Sequence, residues 1–317
     1  MRQDRIDVHH HVLPQFFRDA QSAGGFPSTA YRPFPDWSPE TSLALMDRQG
    51  IATAILSFSA PGLYYGDRAA CRALARRCND YLAGLIAGHA GRFGAFAALP
   101  FPDVDDCLAE IEYAQDIGLD GFMHLTRNDD RPAGHADFRE IYRELDRRAA
   151  VVLIHPTYPA ASAERDYVVP RPIVDYPCET ARAAASLLFN GVLAEMPRIR
   201  FILSHAGGAL PALAHRIEIF DSLTRFRENY AEGARAYLAR LYYDTALSGD
   251  AAVLAALQHL AGPDRILFGT DYPYIPDEVA DSETAGTDGY EGFDEAARAM
   301  MEHGNARRLF PRLAEGA

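Results

Sequence analysis

Eight short apolar stretches alternate with longer amphipathic ones along the chain, and this alternation restricts the fold more than any other feature. The short ones are RIDVH (5–9), IATAILSF (51–58), FGAFAAL (93–99), DGFMHL (120–125), VVLIH (151–155), IRFILSH (199–205), LYYDTAL (241–247) and RILFGTD (265–271). Several lack polar alternation, as expected of parallel strands covered on both faces. The segments between them carry helical patterns, among them 67–85, 104–118, 138–149, 179–196, 209–223, 250–261 and 293–310. Another opens at Pro39 behind Ser38, a good N-cap, and runs to Gly50, which suits a left-handed stop. Strand followed by helix, eight times over, predicts a (β/α)8 TIM barrel occupying residues 1–317 as one domain. A doubly wound open sheet is the alternative, but no Gly-rich turn follows the first strand, where a dinucleotide fold places one.

Two connections stand out, 12–37 after the first strand and 272–292 after the eighth. The second reads as acidic and turn-rich. In a barrel both lie at the C-terminal face, where active sites are built.

Composition narrows the function. The formal net charge of −13 argues against a general nucleic-acid binder, whose contact surface must be basic. No apolar run has the roughly 18 residues that a membrane span needs, and the N-terminus lacks the apolar centre of a signal peptide. A cytoplasmic protein is the expectation. Cys71, Cys78, Cys107 and Cys178 match no zinc or redox spacing and are expected to be reduced, mostly buried thiols. All 31 basic residues are arginine, so neither a lysine Schiff base nor a lysine carbamate is available.

The chemistry falls at the strand ends. The first strand ends in His9, His10 and His11, the fifth in His155, the sixth in His205 and the eighth in Asp271. Singly, each is an ordinary rim residue or turn former. Together, in a barrel, they converge on one mouth, and such a set of buried polar groups is costly without a partner. A divalent cation is the simplest partner, and imidazole with carboxylate suits zinc, manganese or iron. Side chains at i and i+2 share a strand face. His9 and His11 are therefore expected to be ligands, with His10 turned toward the helices. His124, near the end of the fourth strand, is a candidate substrate contact.

These residues with their flanks resemble the amidohydrolase superfamily, and within it the decarboxylase branch that includes aminocarboxymuconate-semialdehyde decarboxylase and the salicylate-type decarboxylases. The matching stretches are IDVHHHVLP (6–14), WSPETSLALMDRQGI (37–51), HPTYP (155–159), YPCETARA (176–183), FILSHAGGALP (201–211), RILFGTDYP (265–273) and GNARRLF (304–310). They stand in order over nearly the whole chain, and the set is far more specific than any member. The resemblance implies that His9, His11, His155 and Asp271 hold one divalent metal, zinc or manganese. It implies that His205 sits beside the metal and handles water or a proton. It also implies that Arg216 reaches the substrate of a neighbouring subunit in a homodimer or higher homo-oligomer.

There are departures. His9 and Gly208 stand where some salicylate-type members have glutamate. No arginine stands just before Trp37, where the picolinate-pathway member has one for its diacid, so the substrate leans toward an aromatic monocarboxylate. The reaction expected from the resemblance is metal-dependent, non-oxidative decarboxylation of a hydroxybenzoate. His205 or Asp271 would deliver a proton to the ring carbon that bears the carboxylate. Tyr274 and Phe58 are candidate ring contacts, with core packing the alternative for Phe58. Glu179 is placed to orient a ligand or to cap its helix. Hydrolysis of a lactone, ester or amide by the same ligand set is the rival reaction.

Overall fold

The stretches without polar alternation become strands of one parallel sheet, because only a strand covered on both faces tolerates so few polar residues. A computed structural model describes residues 4–29, 32–157, 169–220 and 230–314. Strands β1 (Arg5–His11), β2 (Ile51–Ser57), β3 (Phe93–Ala98), β4 (Gly121–Leu125), β5 (Val151–His155), β6 (Arg200–Leu203), β7 (Tyr242–Asp244) and β8 (Ile266–Leu267) pair in chain order. The ends of the sheet meet. Val8 N–H donates to the Phe268 carbonyl at 2.9 Å, His11 N–H to Tyr272 at 2.7 Å, and Asp271 N–H to His9 at 2.8 Å. The result is the (β/α)8 barrel that the alternation predicts.

Alternate residues of the strands feed two apolar layers. Ile55, Phe96, Leu153, Ile202 and Leu267 fill the barrel interior, closed at the N-terminal end by Leu309 and Phe310. Ala54, Leu56, Ala97, Val152 and Leu203 face the helices. Around the sheet stand α1 (Gln15–Ala23), α2 (Pro39–Gln49), α3 (Arg68–Gly88), α4 (Val104–Asp116), α5 (Arg139–Arg147), α6 (Arg171–Phe189), α7 (Leu210–Ile219), α8 (Ala251–Leu260) and α9 (Asp277–Gly289). α2 begins and ends as its sequence predicts. Ser38 Oγ accepts from Thr41 N–H, and Gly50 closes the helix at φ 69°.

The two long connections differ from expectation. Residues 12–37 contain α1, and the acidic stretch 272–292 folds largely into α9. Tertiary contacts override its poor helix propensity. Thr284 Oγ1 donates to Gln49 Oε1 at 3.1 Å, and Glu283 accepts from Gly249 N–H at 2.8 Å. Gly286 admits the approach, since a Cβ there would stand 2.4 Å from the Gly249 carbonyl oxygen. The helix predicted over 179–196 instead starts at Arg171, carries Pro177 inside and stops at Phe189. A short hairpin, Arg127–Asn128 with Arg131–Pro132, follows β4. Cys71, Cys78 and Cys107 are buried and Cys178 is exposed, all as free thiols. No helix among the described residues is long and apolar enough to cross a membrane.

Candidate active site

The floor of the barrel mouth is built by strand ends, beginning with an irregularity in β1. Ile6 and Val8 point into the barrel interior, so an uninterrupted strand would carry His10 inward with them. Instead Asp7 pairs with Ala54 and His10 with Leu56, three residues of β1 against two of β2. This one-residue bulge reverses the faces, as bulges beside active sites do. His9 and His11 therefore turn inward and His10 outward. Asp7 pins the bulge, its Oδ1 accepting from His9 N–H at 3.0 Å and from Thr270 N–H at 3.1 Å. His10 is fully buried outside the barrel. Its Nδ1 meets Asp7 Oδ2 at 2.9 Å and its Nε2 meets Ser42 Oγ at 2.9 Å.

His9, His11, His155 and Asp271 each offer one ligand atom, and these atoms all lie within 4.8 Å of one another, all buried. The Nδ1 atoms are already engaged. His9 Nδ1 meets Asp244 Oδ2 at 2.9 Å, His11 Nδ1 meets Ser57 Oγ at 2.9 Å, and His155 Nδ1 meets the Pro156 carbonyl at 2.9 Å. With Nδ1–H donated outward, each Nε2 lone pair faces the centre, the arrangement that outer carboxylates and carbonyls impose on metal-binding histidines. His9 Nε2 and His11 Nε2 stand 3.0 Å apart, and Asp271 Oδ1 lies 3.4 Å and 3.1 Å from them. Donors about 2.1 Å from one ion sit roughly 3.0–3.4 Å from each other in tetrahedral or octahedral geometry. The donor set thus fits one divalent cation.

Electrostatics agree with the fit. Burial pushes the His11 pKa down to about 4, and burial with neighbouring His11 and His9 holds His155 well below the usual imidazole range. Both stay neutral, as ligands must. Burial would lower His9 too, but Asp244 and Asp271 outweigh it and lift its pKa to about 10. Two buried carboxylates therefore call for one positive charge at this centre. Asp271 remains ionised. Burial opposes that, but hydrogen bonds from His11, His205 and His9 hold its pKa well below the carboxylate range.

Asp271 faces two ways. While Oδ1 looks toward the imidazole cluster, Oδ2 lies 3.4 Å from His205 Nε2. Both residues have left-handed backbone, Asp271 at φ 64° and His205 at φ 56°. Such backbone costs of order 1–3 kcal/mol outside glycine and gathers at functional sites. At His205 it is held by Asp244 Oδ1, which accepts from His205 N–H at 2.9 Å, and at Asp271 by the His9 carbonyl, which accepts from Asp271 N–H at 2.8 Å. Gly208 has no room for a side chain, as a Cβ would come 2.3 Å from the Pro177 carbonyl oxygen.

Above this floor opens a cavity of about 350 Å³, lined by His155, His205, Asp271 and Tyr274 together with mostly apolar residues such as Phe34 and Ile173. That is the lower end of the small-molecule range, roughly 300–1,000 Å³. Tyr274 is half-buried and its ring meets His11 edge-on at 5.2 Å. Other expected contacts lie elsewhere. Phe58 is 1% exposed, packed on Phe17 with ring centroids 4.7 Å apart, and does not line this cavity. His124 is sealed behind Phe101, with its Nε2 3.1 Å from the Tyr142 hydroxyl. Glu179 pairs with Arg127 at 2.7 Å and with Arg182 rather than with a histidine of the cluster. Arg216 lies on the outer face of α7, bordering a second groove with Leu213 and Phe220.

Asp244 is the residue that strand-end reading passes over. It ends β7 as Asp271 follows β8, after an apolar run, in LYYDTAL. Position alone was therefore a sufficient signal.

The amidohydrolase family model matches residues 6–312. The chain is 39% identical to 6-methylsalicylic acid decarboxylase of Penicillium expansum, over 98% of this chain and 97% of that one. Among solved structures, 2,6-dihydroxybenzoate decarboxylase in complex with 2,6-dihydroxybenzoate superposes with a TM-score of 0.82 at 28% identity, covering 98% of this chain and 100% of that one. A dihydroxybenzoic acid decarboxylase from Polaromonas sp. JS666, with bound manganese and the inhibitor 2-nitroresorcinol, gives a TM-score of 0.80 at 25% identity, covering 98% and 97%.

Proposed function

The chain belongs to the amidohydrolase family, and from that premise we propose that it is a metal-dependent, non-oxidative decarboxylase of a hydroxybenzoate-type aromatic acid. One observation carries the reading: three imidazoles and a carboxylate share a buried centre on the floor of a mostly apolar cavity, with His205 beside the outer oxygen of that carboxylate. His9, His11, His155 and Asp271 would hold the cation, which supplies Lewis-acid charge to neutralise the substrate carboxylate and its ortho oxygen. Among the described residues lining the cavity there is no arginine, and the chain has no lysine. A single carboxylate placed at the metal centre suits this charge balance, and a second would go unpaired.

The chain's own groups then serve the proton. His205 and Asp271 both line the cavity and face each other, so a proton held between them can reach a ring carbon placed above Asp271 Oδ2. A π electron pair of the ring forms the new C–H bond. The bond to the carboxylate then breaks, its electron pair restores the aromatic ring, and CO2 departs, leaving the phenol. Apolar walls keep water from competing and strengthen the local charges. No feature of the site favours the lactone, ester or amide hydrolase over this reaction.

The test is metal analysis with incubation against a panel of hydroxybenzoates, following CO2 and the phenol. Release of equimolar CO2 and phenol, dependent on a divalent metal, is expected. Turnover of a lactone or ester with no CO2 from any acid would overturn the reading.

We propose also that the protein acts as a homodimer through the outer face of α7. Leu213, Ile219 and Phe220 are 40%, 60% and 42% exposed there. Apolar side chains of that size clustered at a surface mark an interaction site. Because Arg216 lies outside its own cavity, a substrate role for it requires a second copy. Sedimentation is expected to give a dimer, and Phe220→Glu a monomer with reduced activity. A fully active monomer would remove both the interface and the role of Arg216.

A further inference from the structure

One turn at the cavity mouth is strained, and it presents an apolar side chain. Leu247 lines the cavity, has left-handed backbone at φ 50° and is 41% exposed. Such backbone is costly for leucine, persists only where neighbours enforce it and gathers at ligand clamps. Neighbours enforce it here. Ala246 N–H donates to Asp244 Oδ1 at 3.1 Å, Ser248 N–H to the Thr245 carbonyl at 3.1 Å, and Ser248 Oγ to the Ala246 carbonyl at 3.0 Å. Asp244 is the carboxylate that also meets His9 and His205, so one group sets both the floor of the cavity and this point on its rim. Ile173 and Val253 line the cavity too and are likewise exposed.

Exposed apolar side chains gathered around a cleft mark a binding surface. The groups that carry charge near neutral pH, His155, His205 and Asp271, all belong to the floor. A dry cavity of about 150 Å³ suffices for benzene, so the cavity of about 350 Å³ holds more than a ring with its carboxylate and hydroxyl. Those two substituents occupy one edge of the ring. With that edge at the metal centre, the opposite edge, which carries C4 and C5, points to the mouth. Resting on the decarboxylase reading, we propose that Leu247 determines substrate specificity. With Ile173 and Val253 it forms an apolar collar that receives an alkyl group on C4 or C5 of the hydroxybenzoate.

4-Alkylphenols, the products of 5-alkyl-2-hydroxybenzoates, serve as binding probes. By calorimetry on the metal-loaded wild type, affinity is expected to rise about fourfold with each methylene from 4-methylphenol to 4-propylphenol, the value of a buried methylene. In 2-propylphenol the chain lies beside the hydroxyl, along the floor, and no gain over 2-methylphenol is expected. That isomer separates the collar from a general affinity for apolar compounds. Leu247→Asn removes the apolar surface and suits the left-handed backbone, which asparagine tolerates, so its melting temperature should hold. It is expected to flatten the 4-alkyl series, and kcat/KM for the 4-alkyl and 5-alkyl acids should lose its dependence on chain length in parallel. Equal gains in the 2-alkyl and 4-alkyl series, or an undiminished gain in Leu247→Asn, would overturn the assignment. If the acids release CO2 at rates indifferent to the alkyl chain, this inference fails while the decarboxylase stands. If no acid reacts and no phenol binds, both fall.

Discussion

His205→Asn is expected to lower kcat by about 10²–10⁴-fold, the usual contribution of a positioned acid or base, while the protein keeps one equivalent of metal. The four groups that converge on one centre do not include His205. Its Nε2 faces Asp271 Oδ2 at 3.4 Å, on the cavity side. Asparagine removes the ring nitrogen and keeps the backbone N–H that donates to Asp244. It also suits the backbone there, because at φ 56° asparagine is strained less than most residues. The melting temperature should therefore hold or rise while activity collapses, the pairing expected where a strained residue serves chemistry. Metal analysis, thermal melting and single-turnover CO2 release on the same preparation check all three. A variant at wild-type kcat would place the proton elsewhere, and one that loses its metal would make His205 a ligand.

The barrel was legible because its strands are short, apolar and bounded, and because each feeds a helix of sufficient length. α9 was not, because its acidic and glycine-containing sequence becomes helical only when packed against Gln49 and Gly249. The metal centre was legible for a geometric reason: strands of a barrel end at one mouth, so polar residues at those ends meet. Within the histidine run, i and i+2 periodicity places His9 and His11 on one face but leaves open which face that is. A straight strand continued from Ile6 and Val8 would have favoured His10. The bulge that decides the matter rests on Asp7 meeting Thr270, 263 residues away, a contact that no local pattern contains. Phe58 was ambiguous because a strand-end aromatic serves core and cavity equally well. One step along the chain from the cavity-lining Ser59, it faces the helices instead.

His155→Ala is expected to release the metal and with it all measurable decarboxylation. If four protein groups share a binding free energy of roughly 10–16 kcal/mol, one ligand accounts for about 3 kcal/mol or more, over 10²-fold in affinity. The remaining groups cannot compensate. His9 and His11 are already committed through Asp244 and Ser57 respectively, and the Asp271 oxygen not turned toward them faces His205. Asp244→Asn provides the graded comparison. Asp244 touches no metal position but accepts from His9 Nδ1 at 2.9 Å and from His205 N–H at 2.9 Å. Losing its charge should weaken the metal by only about 10–100-fold, the usual cost of an outer partner, and excess metal should restore binding. His155→Ala should stay inactive at the same metal concentration. Metal titration followed by calorimetry separates the two. If His155→Ala bound metal as tightly as Asp244→Asn, three groups would suffice at this centre, and the third imidazole would have to be assigned to the substrate.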